Sequence, residues 1–88
     1  MNKTIKDHIM DILDDLDDSG LKRFKNKLSD RGGEPKIPKG RLEKADSIDI
    51  ANLLVSYFTE SKAGAVTIEV LQAINLNAEA DQLRALTS

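Results

Sequence analysis

Eighty-eight residues without a single cysteine make one small domain that has no disulfide framework, no thiolate metal site and no thiol chemistry. No apolar run approaches the roughly 18 residues of a membrane span, and the acidic start "MNKTIKDHIMDILDDLDD" is unlike a signal or transit peptide. The formal charge of -2 conceals three blocks: six acids against two bases in residues 1–20, nine bases against three acids in 21–44, and six acids against two bases in 45–88. The expectation is a cytoplasmic domain, residues 1–88 forming a single unit and the N-terminal module of a larger protein.

Helical spacing runs the whole length. Ile5, Ile9, Ile12, Leu13 and Leu16 form one stripe of a helix from about residue 3 to 15. Leu21, Phe24 and Leu28 give a second helix from about 18 to 30, with Lys22, Arg23, Lys25 and Lys27 on its remaining surface. "DLDDSG" between them is short and rich in capping residues, so the two are antiparallel neighbours. "RGGEPKIPKG" is a loop, because two tandem glycines end a helix and Pro35 and Pro38 forbid its resumption. "RLEKAD" allows a turn or two of helix. Asp46 or Ser47 caps a further helix, "SIDIANLLVSYFTE", with Ile48, Ile50, Ala51, Leu54, Val55 and Phe58 apolar. "SKAG" is read as its breaker. A buried helix covers Thr67 to Asn75, "NLN" turns the chain, and "AEADQLRAL" ends it with Ala80, Leu83 and Leu86 inward. Strand signals are absent, so the pattern predicts an all-α bundle of five clear helices and one short one.

Catalytic and ligand-binding constellations are missing. The lone His8 sits between Asp7 and Asp11 with no serine placed to complete a triad, and reads as a solvated helix residue. Asp14, Asp15, Asp17 and Asp18 lack the glycine and the spaced glutamate of a calcium loop. The "DRGGEP" glycines follow no strand and lack a phosphate-loop pattern. The sequence therefore predicts no enzyme, no cofactor, no metal and no small-molecule substrate. Nucleic acid is a weak alternative, because the chain is net acidic and its aromatics are Phe24, Tyr57 and Phe58, of which Phe24 and Phe58 lie on core stripes. The charges on the first and second helices serve either internal pairing and solvation or contact with a second protein. Two distinct patches of opposite sign would make such a contact head-to-tail.

Four stretches in order, "LKRFKNKL", "EPKIPKGRLEKAD", "IDIANLLVSYF" and "TIEVLQAINLNAEADQL", resemble the pyrin domain of the death-fold superfamily. The similarity runs from about residue 5 to 86. It implies a six-helix antiparallel Greek-key bundle with a long loop between the second and third helices and a very short third helix. It also implies pyrin–pyrin binding, filament assembly in inflammasome signalling, and caspase activation. The partners implied are other pyrin domains, in an adaptor, a sensor or a caspase, and the alternative is a regulatory pyrin-like domain that does not polymerise. Carried over by position, the family's acidic surface is Asp7, Asp11, Asp14, Asp46 and Asp49, and its basic surface is Lys22, Lys27, Lys39 and Arg41. Lys22→Glu and Asp46→Lys are accordingly expected to block assembly while sparing the fold. The chain departs from the family at Ser19 and Gly20, where Gly20 is expected to weaken the first turn of its helix by about 1 kcal/mol relative to Ala.

Overall fold

Thr4 opens the fold with a reciprocal cap. Its hydroxyl accepts from the Asp7 N–H, and the Asp7 carboxylate accepts from the Thr4 N–H, each at 3.2 Å. The computed structural model describes residues 4–31 and 36–87. Within them run α1 (Ile5–Asp14), α2 (Asp18–Asp30), α3 (Lys39–Glu43), α4 (Ser47–Ala73) and α5 (Asn77–Thr87), and there is no strand among the described residues. The expectations for Lys3, the tandem glycines and Pro35 fall outside the described residues.

The bounds of α2 coincide with the sequence expectation. Asp17 caps it, accepting from the Gly20 N–H at 2.6 Å. A Cβ on Gly20 would stand 3.1 Å from that carboxylate oxygen, a tight approach that a shift of a few tenths of an ångström in the Asp17 side chain would relieve. The reduced third helix covers Lys39–Glu43, starting directly after Pro38. Ile37, in the loop before it, is fully buried and pins this basic segment to the core.

α4 is the hub. α1, α2 and α5 all pack on it, while α3 packs against α2. Its first stretch buries Ile50, Ala51, Leu54 and Phe58, and its second Ala63, Val66, Val70 and Leu71. α1 adds Ile9, Ile12 and Leu13, α2 adds Phe24 and Leu28, and α5 adds Ala80 and Leu83. Burying each such large apolar side chain contributes about 1.5–3 kcal/mol of transfer free energy.

The break in α4 falls earlier than "SKAG". Thr59, at φ 65° and ψ 164°, interrupts the helix and separates arms of residues 47–58 and 60–73. Among the described residues the bundle thus has six helical segments. Residues 61–64 are helical; Gly64 is buried beside Ala63, where a small residue serves close approach rather than termination. Thr67, also fully buried, donates its hydroxyl to the Ala63 carbonyl at 2.7 Å.

The "NLN" turn closes α4 with a Schellman motif. Asn75 adopts φ 66°, its N–H donates to the Gln72 carbonyl at 3.0 Å, and the Leu76 N–H donates to the Leu71 carbonyl at 2.8 Å. Leu86, expected inward, is 47% exposed: α5 packs through Ala80 and Leu83, and its last turn extends past that contact.

The Thr59 backbone lies in a region close to glycine-only, which for a β-branched residue costs about 1–3 kcal/mol. Thr59→Gly removes that strain at some cost in unfolded-chain entropy. The expected net gain is about 1 kcal/mol, seen as a rise in Tm of about 4–8 °C. A lower Tm would show that the strain relieved is smaller than the chain-entropy cost of glycine.

Candidate functional site

The acidic residues gather where α1 ends and α4 begins. Asp7, Asp11 and Asp14 recur at spacings of four and three on α1, which places them along one face. The Ser47 hydroxyl, buried at the head of α4, donates to the Asp14 carboxylate and ties the end of α1 to that turn. Asp46 is the N-cap of α4 and accepts from the Asp49 N–H at 2.9 Å. Asp49 is exposed in the first turn, where a negative charge also complements the helix dipole. The structure therefore joins Asp14, Asp46 and Asp49 at one corner and continues them along α1 through Asp11 to Asp7.

The basic residues divide. Lys22 and Lys39 line one groove of about 400 Å³ between α2 and α3, and Lys25 lines it with them. Leu21 and Leu42 supply its apolar lining. Arg41 is exposed on α3 itself. Lys27 is not in this groove. Five residues on from Lys22, it lies about 140° further round the helix, beside a second depression shared with Arg31 and Glu69 on the second arm of α4. Lys25, left unassigned by the sequence resemblance, is thus the residue the structure adds to Lys22 and Lys39. The signal was present in the spacing, since residues 22, 25 and 29 recur along one face.

The arginines of this region turn inward. Arg23 donates to the Ile74 carbonyl at the end of α4, 2.7 Å away. Arg31 donates to Glu69 at 2.7 Å and stacks over the Phe58 ring, 5.2 Å from its centroid. Among the described residues, none of Lys22, Lys25, Lys27, Lys39 and Arg41 is ion-paired with a carboxylate. No three His, Asp or Glu side chains among the described residues gather to hold a metal, and none of their helices is long and apolar enough to cross a membrane.

An all-helical bundle that carries separate acidic and basic faces, and no constellation for chemistry, has the form of a protein-interaction domain of the death-fold type. A model of the PAAD/DAPIN/Pyrin domain family matches residues 8–81. The solution structure of the pyrin domain of human Pyrin superimposes with a TM-score of 0.88 at 31% identity, covering 94% of this chain and 96% of that one. The zebrafish (Danio rerio) "Apoptosis-associated speck-like protein containing a CARD" is 44% identical over 84 residues, covering 94% of this chain and 41% of that protein. "Caspase a" of the same organism is also 44% identical over 84 residues, covering 94% of this chain but 22% of its own length. The chain belongs to the pyrin domain family, and it spans less than half the length of these two relatives.

The caps correct one expectation. Asp46→Lys is not neutral to stability, because it removes the N-cap of α4 and puts a positive charge at a helix N-terminus. It is expected to cost about 1–2 kcal/mol in a urea melt. Lys22→Glu, at an exposed and unpaired site, is expected to stay within about 0.5 kcal/mol of the parent. Equal stabilities for the two variants would contradict this division.

Proposed function

We propose that this chain is a homotypic interaction module of innate immune signalling. It binds other pyrin domains through its two charged faces, assembles head-to-tail into helical filaments, and acts in the cytoplasm on the route to caspase activation. The single observation that carries the reading is the separation of charge. The acids occupy α1 and the head of α4, the bases occupy α2 and α3, and none of the named basic residues is ion-paired within the described chain. A surface with two faces of unlike charge is complementary to another copy of itself. A contact between two different patches that does not close on itself propagates.

The pyrin family membership supports the same reading, as do relatives whose names include a CARD-containing speck-like protein and a caspase. The partners that fit are therefore a second copy of this domain and the pyrin domain of an adaptor, a sensor or a caspase. Residues 1–88 would act as the pyrin module of a longer protein, in which any catalysis belongs to other domains.

Magnitudes favour a cooperative switch. One exposed ion pair is worth about 0–1 kcal/mol, so a single encounter through the charges is weak. In a lattice each subunit makes the contact on both faces, and the small gains accumulate. The Debye length of about 8 Å at physiological ionic strength makes that sum depend on salt.

Light scattering of the purified domain at neutral pH, with salt stepped downward, tests the reading. The wild type is expected to grow into large particles as salt falls. Lys22→Glu is expected to remain monomeric, with an unchanged circular dichroism spectrum. Growth of Lys22→Glu equal to the wild type would remove Lys22 from the assembly surface and overturn the assignment of the basic face.

A further inference from the structure

The acidic corner holds one residue that charge does not explain. Ile48, in the first turn of α4, is 52% exposed. It lies between the cap Asp46 and the exposed Asp49, and directly after Ser47, which holds Asp14. Among the described residues one other large apolar side chain is comparably exposed, Leu86 in the last turn of α5. Ile48 adds little to the core, and isoleucine is no better than average as a helix former, so neither local structure nor core burial accounts for it there. An exposed apolar side chain rimmed by carboxylates has the form of an interface anchor.

The complementary feature lies on the other face. The groove of about 400 Å³ between α2 and α3 combines the apolar Leu21 and Leu42 with the ammonium groups of Lys22, Lys25 and Lys39. Asp18 and Glu43 also line the groove, so its three ammonium groups exceed its carboxylates by one. The balance is opposite in sign to the acidic corner: an apolar lining with net positive charge, against an apolar tip with negative charge around it. We propose that Ile48 is the anchor of the contact between two copies of this chain. It seats in the partner copy's α2–α3 groove while Asp46 and Asp49 meet the lysines at the rim. The inference rests on the head-to-tail reading given above and specifies what holds that contact together. Exposed charges steer and orient an encounter but add little to its lifetime. Burial of the isoleucine, with water excluded from the surrounding pairs, supplies the holding contact.

Two one-sided variants isolate a single contact. Asp49→Asn weakens the acidic corner and keeps the groove; Lys22→Glu keeps Ile48 and disables the groove. The groove of the Lys22→Glu chain still repels the corner of the Asp49→Asn chain through Asp46. Neither polymerises alone, and mixed at low salt they form a 1:1 complex whose Kd is read by titration calorimetry. Adding Ile48→Ala to the Lys22→Glu chain is expected to weaken that complex about tenfold. The slope of log Kd against log salt should not change. Adding Asn26→Trp to the Asp49→Asn chain, which fills the groove without altering its charge, is expected to weaken binding similarly. The two changes together should then be less than additive. If the pair binds and Ile48→Ala leaves Kd within about twofold, the anchor is overturned while the charged-face reading stands. If the two one-sided variants do not bind each other at all, the head-to-tail reading falls and takes the anchor with it.

Discussion

The bundle depends on how α2 is fastened to the second arm of α4. Burial of Phe24 and Leu28 holds the helix in the core, and two arginines add polar contacts to α4: Arg23 on the Ile74 carbonyl at its C-terminal end, and Arg31 on Glu69 and the Phe58 ring. A guanidinium suits this work, because its planar fork of donors meets carbonyls and carboxylates and its face stacks on aromatics. Arg31 also sits against Phe58, the residue just before the break at Thr59, and so it joins α2 to both arms of α4 at their junction. The same helix therefore carries two kinds of base. Its arginines are consumed by the fold, and its lysines are left unpaired at the surface.

The acidic face is made in a different way. Asp7 and Asp46 close helix caps, and Asp14 receives the Ser47 hydroxyl that joins α1 to α4. These acids hold their positions because they are part of the helix ends, so in the proposed contact the face is preorganised and docking would cost little side-chain entropy. The basic face is lysine heads on long side chains around a groove whose walls are set by α2, α3 and the buried Ile37. Such a pair, one fixed charged ridge and one groove with adaptable arms, is unlike on its two sides. That asymmetry makes the contact directional.

Much of this was legible in the sequence. The helical period located every segment, and α2 matched to the residue, because its apolar stripe, its acidic cap and the glycines that follow it all agree. The break in α4 was misplaced because Gly64 has two meanings: a helix breaker when exposed, a close-contact residue when buried. The strained Thr59 carries no sequence signal at all, since a threonine at positive φ is imposed by tertiary context. The acidic set could be read because spacing along one helix and capping chemistry are local properties. The basic set was read less well. Lys25 belongs with Lys22 by spacing alone, but that both share a groove with Lys39, and that Lys27 does not, follows from where α3 packs. In the sequence Ile48 is one of six apolar positions of its helix, not distinguished from the rest, and its exposure emerges only from the packing of α4.

The central claim is that one copy's α2–α3 face meets another copy's α1–α4 face. Because the chain has no cysteine, a pair can be introduced without background. Asn26→Cys lines the groove, and Asn52→Cys lies one turn beyond Ile48 on the exposed side of α4, so neither alters a charge. A short bismaleimide is added to the double variant under assembling conditions, and the products are mapped by peptide mass. The account requires a ladder of oligomers linked from position 26 of one copy to position 52 of the next. Links only between like positions, 26 to 26 or 52 to 52, would show a symmetric contact and contradict it.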